Sequence, residues 1–306
     1  MARFVVKRLL GIVLSLWLVA TLVFLLLRMV PGGPFDSERT LPPDIQQALE
    51  AKYHLDAPLW RQYFDWLGGL VLHGDLGPTF RYAGRSVNEI IGASLPVSMQ
   101  LGVWAMLLAL CIGLPLGIVG AMRQNTWADT LTTATALVGI SVPRFVLAPI
   151  LVFVFSLSLY WLPAARWETW RHMVLPVLCA GLPVGAAIAR LTRGGMLEVI
   201  HSDWIRTARA KGLSERRIVM RHALKGGLLP VVSYLGPGAS SLLVGSVVIE
   251  KIFSIPGMGR YFVEAALNRD YNLVMGVTLV YGAMLMVFNA LVDVAYGLLD
   301  PRVRLE

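Results

Sequence analysis

Few residues in this 306-residue chain have the types or spacing that chemistry needs. Its five histidines (His54, His73, His172, His201, His222) form no HExxH pair and no close metal-ligand set. No GxxxxGK[ST] loop is present to cradle ATP phosphates, and no GxSxG elbow presents a nucleophile. Cys111 and Cys179 both fall inside apolar runs, where a thiol is an inert small hydrophobe. The expectation is therefore no catalytic residue, no metal site and no cofactor held by this chain. Two charges stand out because they interrupt apolar runs, Arg144 and Asp293. Such charges are costly in hydrocarbon and face a bundle interior or an aqueous path. Arg144 follows Pro143, where a broken helix opens a polar pocket; it either lines a translocation path or holds a structural partner. On straight spans the two charges lie ~12 Å apart in depth, which argues against a direct pair. Asp293 then reaches the cytoplasmic interface or a Ser/Thr.

The other concentration of functional groups is the polar stretch from Asp203 to Pro230. Residues 190–225 hold nine Lys/Arg (Arg190, Arg193, Arg206, Arg209, Lys211, Arg216, Arg217, Arg221, Lys225) against three acids. Asp203 suits the N-cap of a short helix, Trp204 to Lys211. Lys211 suits the negative end of that helix, and Gly212 the left-handed position that stops it. Ser214 then caps a second short helix with Glu215 in its first turn. Arg217, Arg221 and Lys225 share a face of that helix, a surface suited to anionic lipid.

The chain around these groups is 56% hydrophobic and only 15% charged. That composition belongs to a polytopic membrane protein rather than a soluble domain. Its net charge of +8 sits in loops between apolar runs, which is a topology signal and not a nucleic-acid footprint. Six spans are predicted: Leu9–Leu27, Leu95–Met122, Thr130–Tyr160, Met173–Ala189, Gly226–Ile249 and Leu273–Leu299. Basic residues before the first span, in the 190–228 loop and after the last place both termini inside. The loop from Pro31 to Ser94 carries eight acids against five Lys/Arg, as an external segment would. Pro42-Pro43 starts a helix through about Lys52, and Pro58 starts another over Leu59 to Leu72. Trp60, Tyr63, Phe64 and Leu67 share one face of the latter, suited to the membrane interface or to an external partner.

The stretch RTARAKGLS, with RHALK and LLP after it, resembles the cytoplasmic loop of bacterial ABC importer permeases of the peptide and nickel family. That loop is written loosely as E-A-A, three residues, then Gly. Here the positions are Arg206, Thr207, Ala208 and Gly212, and the first two depart from the general consensus. The positive-inside rule alone explains the charge but not the cap–helix–Gly–cap order. HGDLGPTF (His73 to Phe80) also matches the family, and ERTLPP (Glu38 to Pro43) and EAKYHL (Glu50 to Leu55) resemble its oligopeptide branch. The resemblance implies an all-α integral membrane protein with six transmembrane helices in the type I ABC importer permease fold, multi-pass in the inner membrane. It implies a first helix with its tail (1–30), an external region with short helices (31–94), an importer core (94–298) with the coupling loop 190–228, and a cytoplasmic tail (299–306). The coupling residues would be Arg206, Thr207, Ala208, Arg209, Gly212 and Leu213, with Ala208 seating closely in a partner's groove. Implied partners are a second homologous permease, two ATPase subunits that bind ATP and Mg, and a periplasmic or extracellular peptide-binding protein. Dipeptide, murein peptide, glutathione and nickel cargos are not separable from oligopeptide on these motifs. A secondary transporter or a membrane enzyme is the alternative of a different class, and ATPase activity that appears only with a nucleotide-binding partner would separate them.

Overall fold

Long uninterrupted apolar runs fold as long helices because a backbone in hydrocarbon must satisfy its polar groups internally. The computed structural model describes residues 2–35, 42–82 and 84–299, and every extended element among them is helical. Most of ERTLPP and nearly all of the 299–306 tail lie outside the described residues. The helices are α1 (Ala2–Met29), α2 (Pro43–Lys52), α3 (Leu59–Gly68), α4 (Val87–Met122), α5 (Trp127–Ser141), α6 (Arg144–Leu151), α7 (Trp170–Ile200), α8 (Asp203–Ala210), α9 (Glu215–Arg217), α10 (Leu224–Gly227), α11 (Leu229–Ile252), α12 (Met258–Leu267) and α13 (Tyr271–Leu299). Wider π turns follow α3, α6 and α9. Among the described residues, α1, α4, α7, α11 and α13 are each long and apolar enough to cross a membrane.

The third span in chain order differs from expectation. Thr130 to Tyr160 was expected as one traverse, but α5 and the helix that continues from Arg144 to Ser158 meet at 103°. Pro143 is the cause: it disfavours helical backbone at the residue before it, and Val142 is extended at φ −81°, ψ 116°. The depth of Arg144 reckoned along a straight helix therefore does not hold. A second difference concerns α7. The expected span ended at Ala189, yet the helix continues unbroken through Pro176, Pro183 and Arg190 to Ile200. Arg190 and Arg193 are thus helical residues, and the basic loop proper starts at His201.

The chain divides into two units. Among the described residues, one contains Met99–Ile255 and 285–299. Its packing rests on small residues at four-residue spacing. A Cβ placed on Gly113 would lie 2.5 Å from the Gly185 carbonyl oxygen, and one on Gly117 2.5 Å from that of Ala189. One on Gly181 would lie 2.7 Å from the Ala105 carbonyl. The backbones of α4 and α7 therefore touch along 105/109/113/117 and 181/185/189, a close approach that small residues permit in membranes.

The other unit contains Val5–Ser98 and Pro256–Met284. Val87, Ile90, Met258, Leu273 and Val277 are buried at its core. The Gly-Asp-Leu-Gly element is a tight loop whose backbone is held by side chains. Asp75 Oδ1 accepts from Gly77 N (2.9 Å), Asn88 Oδ1 from Leu76 N (2.8 Å), and Asn88 Nδ2 donates to Gly74 O (2.7 Å). Gly77 sits at φ +91°, and a Cβ there would lie 3.0 Å from Asn272 Nδ2. Fully buried Asp270, at the start of α13, accepts from Thr79 Oγ1, Phe80 N (3.1 Å) and Leu273 N (3.3 Å). A carboxylate beside the orphan amides of a helix start is favourable, and here it also anchors the loop.

Candidate functional site

The basic loop folds as two short helical segments around Gly212, as the punctuation predicts. The cap shifts by one residue: Ser202 is the extended N-cap of α8, and Asp203 is its first helical residue. Asp203 instead makes an exposed 3.5 Å contact with Arg206, and Ser202 Oγ turns back to Val199 O (2.6 Å). Gly212 adopts φ +75° with open space where a Cβ would be. Its N–H donates to Arg209 O (2.9 Å), and Leu213 N to Ala208 O (3.4 Å), so the left-handed turn satisfies the last carbonyls of α8. Ser214 takes the extended N-cap position of α9. Across the turn, Arg209 grips Glu215 with Nε–Oε1 at 2.8 Å and Nη2–Oε2 at 3.3 Å. That hydrogen-bonded guanidinium holds the Glu215 carboxyl below its ordinary value. Both partners are more than a third exposed, so the clamp fixes geometry more than it adds stability.

The apolar face of α8 corrects one expectation. Ile205 and Ala208 do not point outward to a partner; they are buried within this chain. They pack in one cluster with Ala121, Met196, Ile218, Val219 and Ala223, flanked by half-buried Leu213. The small side chain at 208 thus lets α8 sit on its own bundle, because the amphipathic period turns Ile205 and Ala208 to one side. The outward surface is Trp204, Arg206, Thr207, Arg209, Ala210 and Lys211, all exposed, with Trp204 at 49%. After the turn, Arg217, Arg221 and Lys225 are exposed while Val219 and Ala223 are buried, as their spacing predicts.

Arg144 starts α6 and is half-buried. It donates from Nη1 to Ser241 O (2.8 Å) and from Nη2 to Ser241 Oγ (3.0 Å), both on α11. Its own carbonyl accepts from Cys179 Sγ on α7 (3.4 Å). The arginine at the bend thereby ties three helices together.

A second ionic tie escaped the sequence reading. Arg193 on α7 forms a bidentate pair with Asp129 in the first turn of α5, at 2.5 Å (Nε–Oδ1) and 2.9 Å (Nη2–Oδ2). Asn125 N also donates to Asp129 (3.0 Å), and the Asp129 side chain is 7% exposed. By sequence Arg193 groups with the loop cations, and the one available signal is an acid, Asp129, in the first turn of α5. The pair joins the first turn of α5 to the segment of α7 from which the basic loop departs.

Comparison with known proteins matches the same regions. The family model described as "Binding-protein-dependent transport system inner membrane component" matches residues 113–305, and its N-terminal companion matches residues 1–109. The oligopeptide transport system permease protein OppB of Escherichia coli (strain K12) is 47% identical over 306 residues, 99% of this chain and 100% of that protein. The dipeptide transport system permease protein DppB of Bacillus subtilis (strain 168) is 45% identical over 306 residues, 100% of this chain and 99% of that protein. Among solved structures, an inward-facing form of the MetNI methionine ABC transporter aligns at TM-score 0.55 and 16% identity, covering 71% of this chain and 97% of that one. An amino acid ABC transporter solved with histidines aligns at 0.54 and 14%, covering 71% and 95%. These two likenesses show the fold, that of type I ABC importer permeases. Two family models that together run nearly end to end, and full-length relatives at close to half identity, place this chain in the family of inner membrane components of binding-protein-dependent transport systems.

Proposed function

We propose that this chain is one permease of an ABC importer that carries oligopeptides inward. The observation that carries the reading is the full-length likeness to oligopeptide and dipeptide permeases. The remaining assembly follows from that reading: a second homologous permease, two cytoplasmic ATPase subunits that bind ATP and Mg, and an external peptide-binding protein. Both termini lie inside. The coupling element is α8 with its Gly212 turn. Ile205, Ala208 and Leu213 fasten it to the bundle, while Trp204, Arg206, Thr207 and Arg209 face the ATPase. A displacement of that ATPase then reaches the bundle through a rigid seat rather than a loose loop. The Asp129–Arg193 pair lies beside the root of this lever and transmits the same displacement to α5. The exposed face of Arg217, Arg221 and Lys225 contacts anionic lipid, which is worth ~1 kcal/mol per cation near such a surface.

Arg144 serves the translocation path by keeping α6 against α11 at the bend, where the helix break leaves room for cargo. The test is reconstitution of the four-subunit membrane complex with its binding protein, comparing wild type with Arg144→Met for uptake of defined peptides and for basal ATP hydrolysis. Uptake of oligopeptides that requires the binding protein is expected, with Arg144→Met lowering uptake while assembly and basal hydrolysis persist. Failure of any peptide to be taken up, with nickel or glutathione moved instead, would transfer the cargo assignment. Failure of Arg144→Met to assemble would make that residue structural.

A further inference from the structure

A cavity of about 210 Å³ lies in the unit that contains α3, at the end of α1 remote from its basic N-terminus. Two of its lining residues carry buried N–H donors without an acceptor, Arg28 (Nη1) and Trp66 (Nε1). Turning the Gln62 amide over would not supply an acceptor for Nη1. Gln62 spends both amide hydrogens on Leu55 O (2.9 Å) and Ala57 O (2.8 Å). Its Oε1 is therefore fixed toward Arg28, accepting from Nε (3.1 Å) and Nη2 (2.8 Å). The guanidinium is also sandwiched, 4.7 Å from the Phe24 ring centre and 4.8 Å from that of Tyr271. A charged group held this firmly, with both hydrogens of Nη1 unmet, is poised for an acceptor that the chain does not supply.

The same cavity is lined by two carboxylates, Asp65 and Asp75. Asp75 commits Oδ1 to Gly77 N, and Asp65 makes only a 3.8 Å contact with exposed Arg61. A plain anion would meet these two acids, and a plain cation would meet Arg28. A ligand that carries both charges meets neither objection. We propose that the cavity binds a zwitterion: a phosphate or carboxylate that accepts from Arg28 and Trp66, with a primary ammonium a few bonds away on the acid side. Tyr53 and Phe80 also line the cavity, and the Tyr53 ring already takes one ammonium, that of Lys52, 5.4 Å from its centre. Two sources share this chemistry, the phosphoethanolamine headgroup of a lipid and the termini of a short free peptide. The site is distinct from α8 and from Arg144, and the proposal does not depend on the transport reading.

The test is native mass spectrometry of the full chain, delipidated and then offered equal phosphatidylethanolamine and phosphatidylglycerol, with and without glycylglycine. Wild type is expected to retain phosphatidylethanolamine over phosphatidylglycerol, and Arg28→Gln to lose about tenfold in that retention. Asp75→Asn keeps the Oδ1 acceptor for Gly77 and so the loop; it is expected to erase the preference while leaving the fold intact. Displacement of the lipid by glycylglycine assigns the site to a soluble peptide, and no displacement assigns it to the headgroup. Equal retention of both lipids by wild type without glycylglycine binding would overturn the proposal. So would unchanged retention in both variants.

Discussion

Gly212 offers a clean separation of backbone conformation from side-chain contact. Its φ of +75° lies in the left-handed region, and nothing stands within 4 Å of the place a Cβ would take. A substitution there meets no neighbour in this chain, so its cost is conformational. For alanine that cost is about 1 kcal/mol. Valine adds χ1 restriction to the same backbone, for about 2 kcal/mol. These figures correspond to shifts of roughly fivefold and thirtyfold between the ordered and opened turn. Asparagine tolerates the left-handed region and should cost only a few tenths of that. The predicted order for peptide-stimulated ATP hydrolysis in the reconstituted complex is therefore Gly, then Asn, Ala and Val. Membrane insertion should be equal in all four, because the turn lies outside every span. If Asn proved as damaging as Val, a partner surface colliding with any side chain at 212 would be the cause, and the conformational reasoning would be refuted.

Ala208→Glu should damage this chain before it damages docking, since residue 208 is buried against Ile218, Val219 and Ala223; a buried unpaired carboxylate costs several kcal/mol, visible as protease sensitivity of the loop in the isolated subunit. Ile205→Ala, at a fully buried site, should loosen the same seat by about 2–4 kcal/mol. Asp129→Asn removes the charge from a bidentate pair whose arginine remains 27% exposed; about 2 kcal/mol of the α5–α7 connection is expected to go, read as a lower melting temperature that Arg193→Met on the same background does not lower further. Changing Arg217, Arg221 and Lys225 to Gln together should reduce anionic lipid carried through purification while ATPase binding persists; the opposite pattern would move that face to the subunit interface.

The helices were legible because hydrocarbon leaves the backbone one economical choice, and runs such as Leu9–Leu27 state it openly. The turn at Gly212 was legible because left-handed backbone has a residue-type signature. Pro143 announced a break, but a dipeptide does not encode its angle, and the 103° bend depends on what α6 packs against. The direction of the Ala208 side was hidden for a related reason. An amphipathic helix displays an apolar face without saying whether its own chain or a partner covers it. Asp129 and Arg193 are 64 residues apart, and nothing local marks them as a pair. Asp270 is similar: its acceptor role is set by a loop 190 residues earlier in the chain.

The central claim is that the outward face of α8 is the surface an ATPase subunit grips. A photo-crosslinking amino acid placed singly at Trp204, Lys211 and Ile205, in cells that make the whole transporter, tests it most directly. Positions 204 and 211 are exposed and should capture the ATPase subunit; position 205 is buried and should react only within this chain. Capture of lipid alone from 204 and 211, or of the ATPase from 205 in preference to 204, would contradict the account.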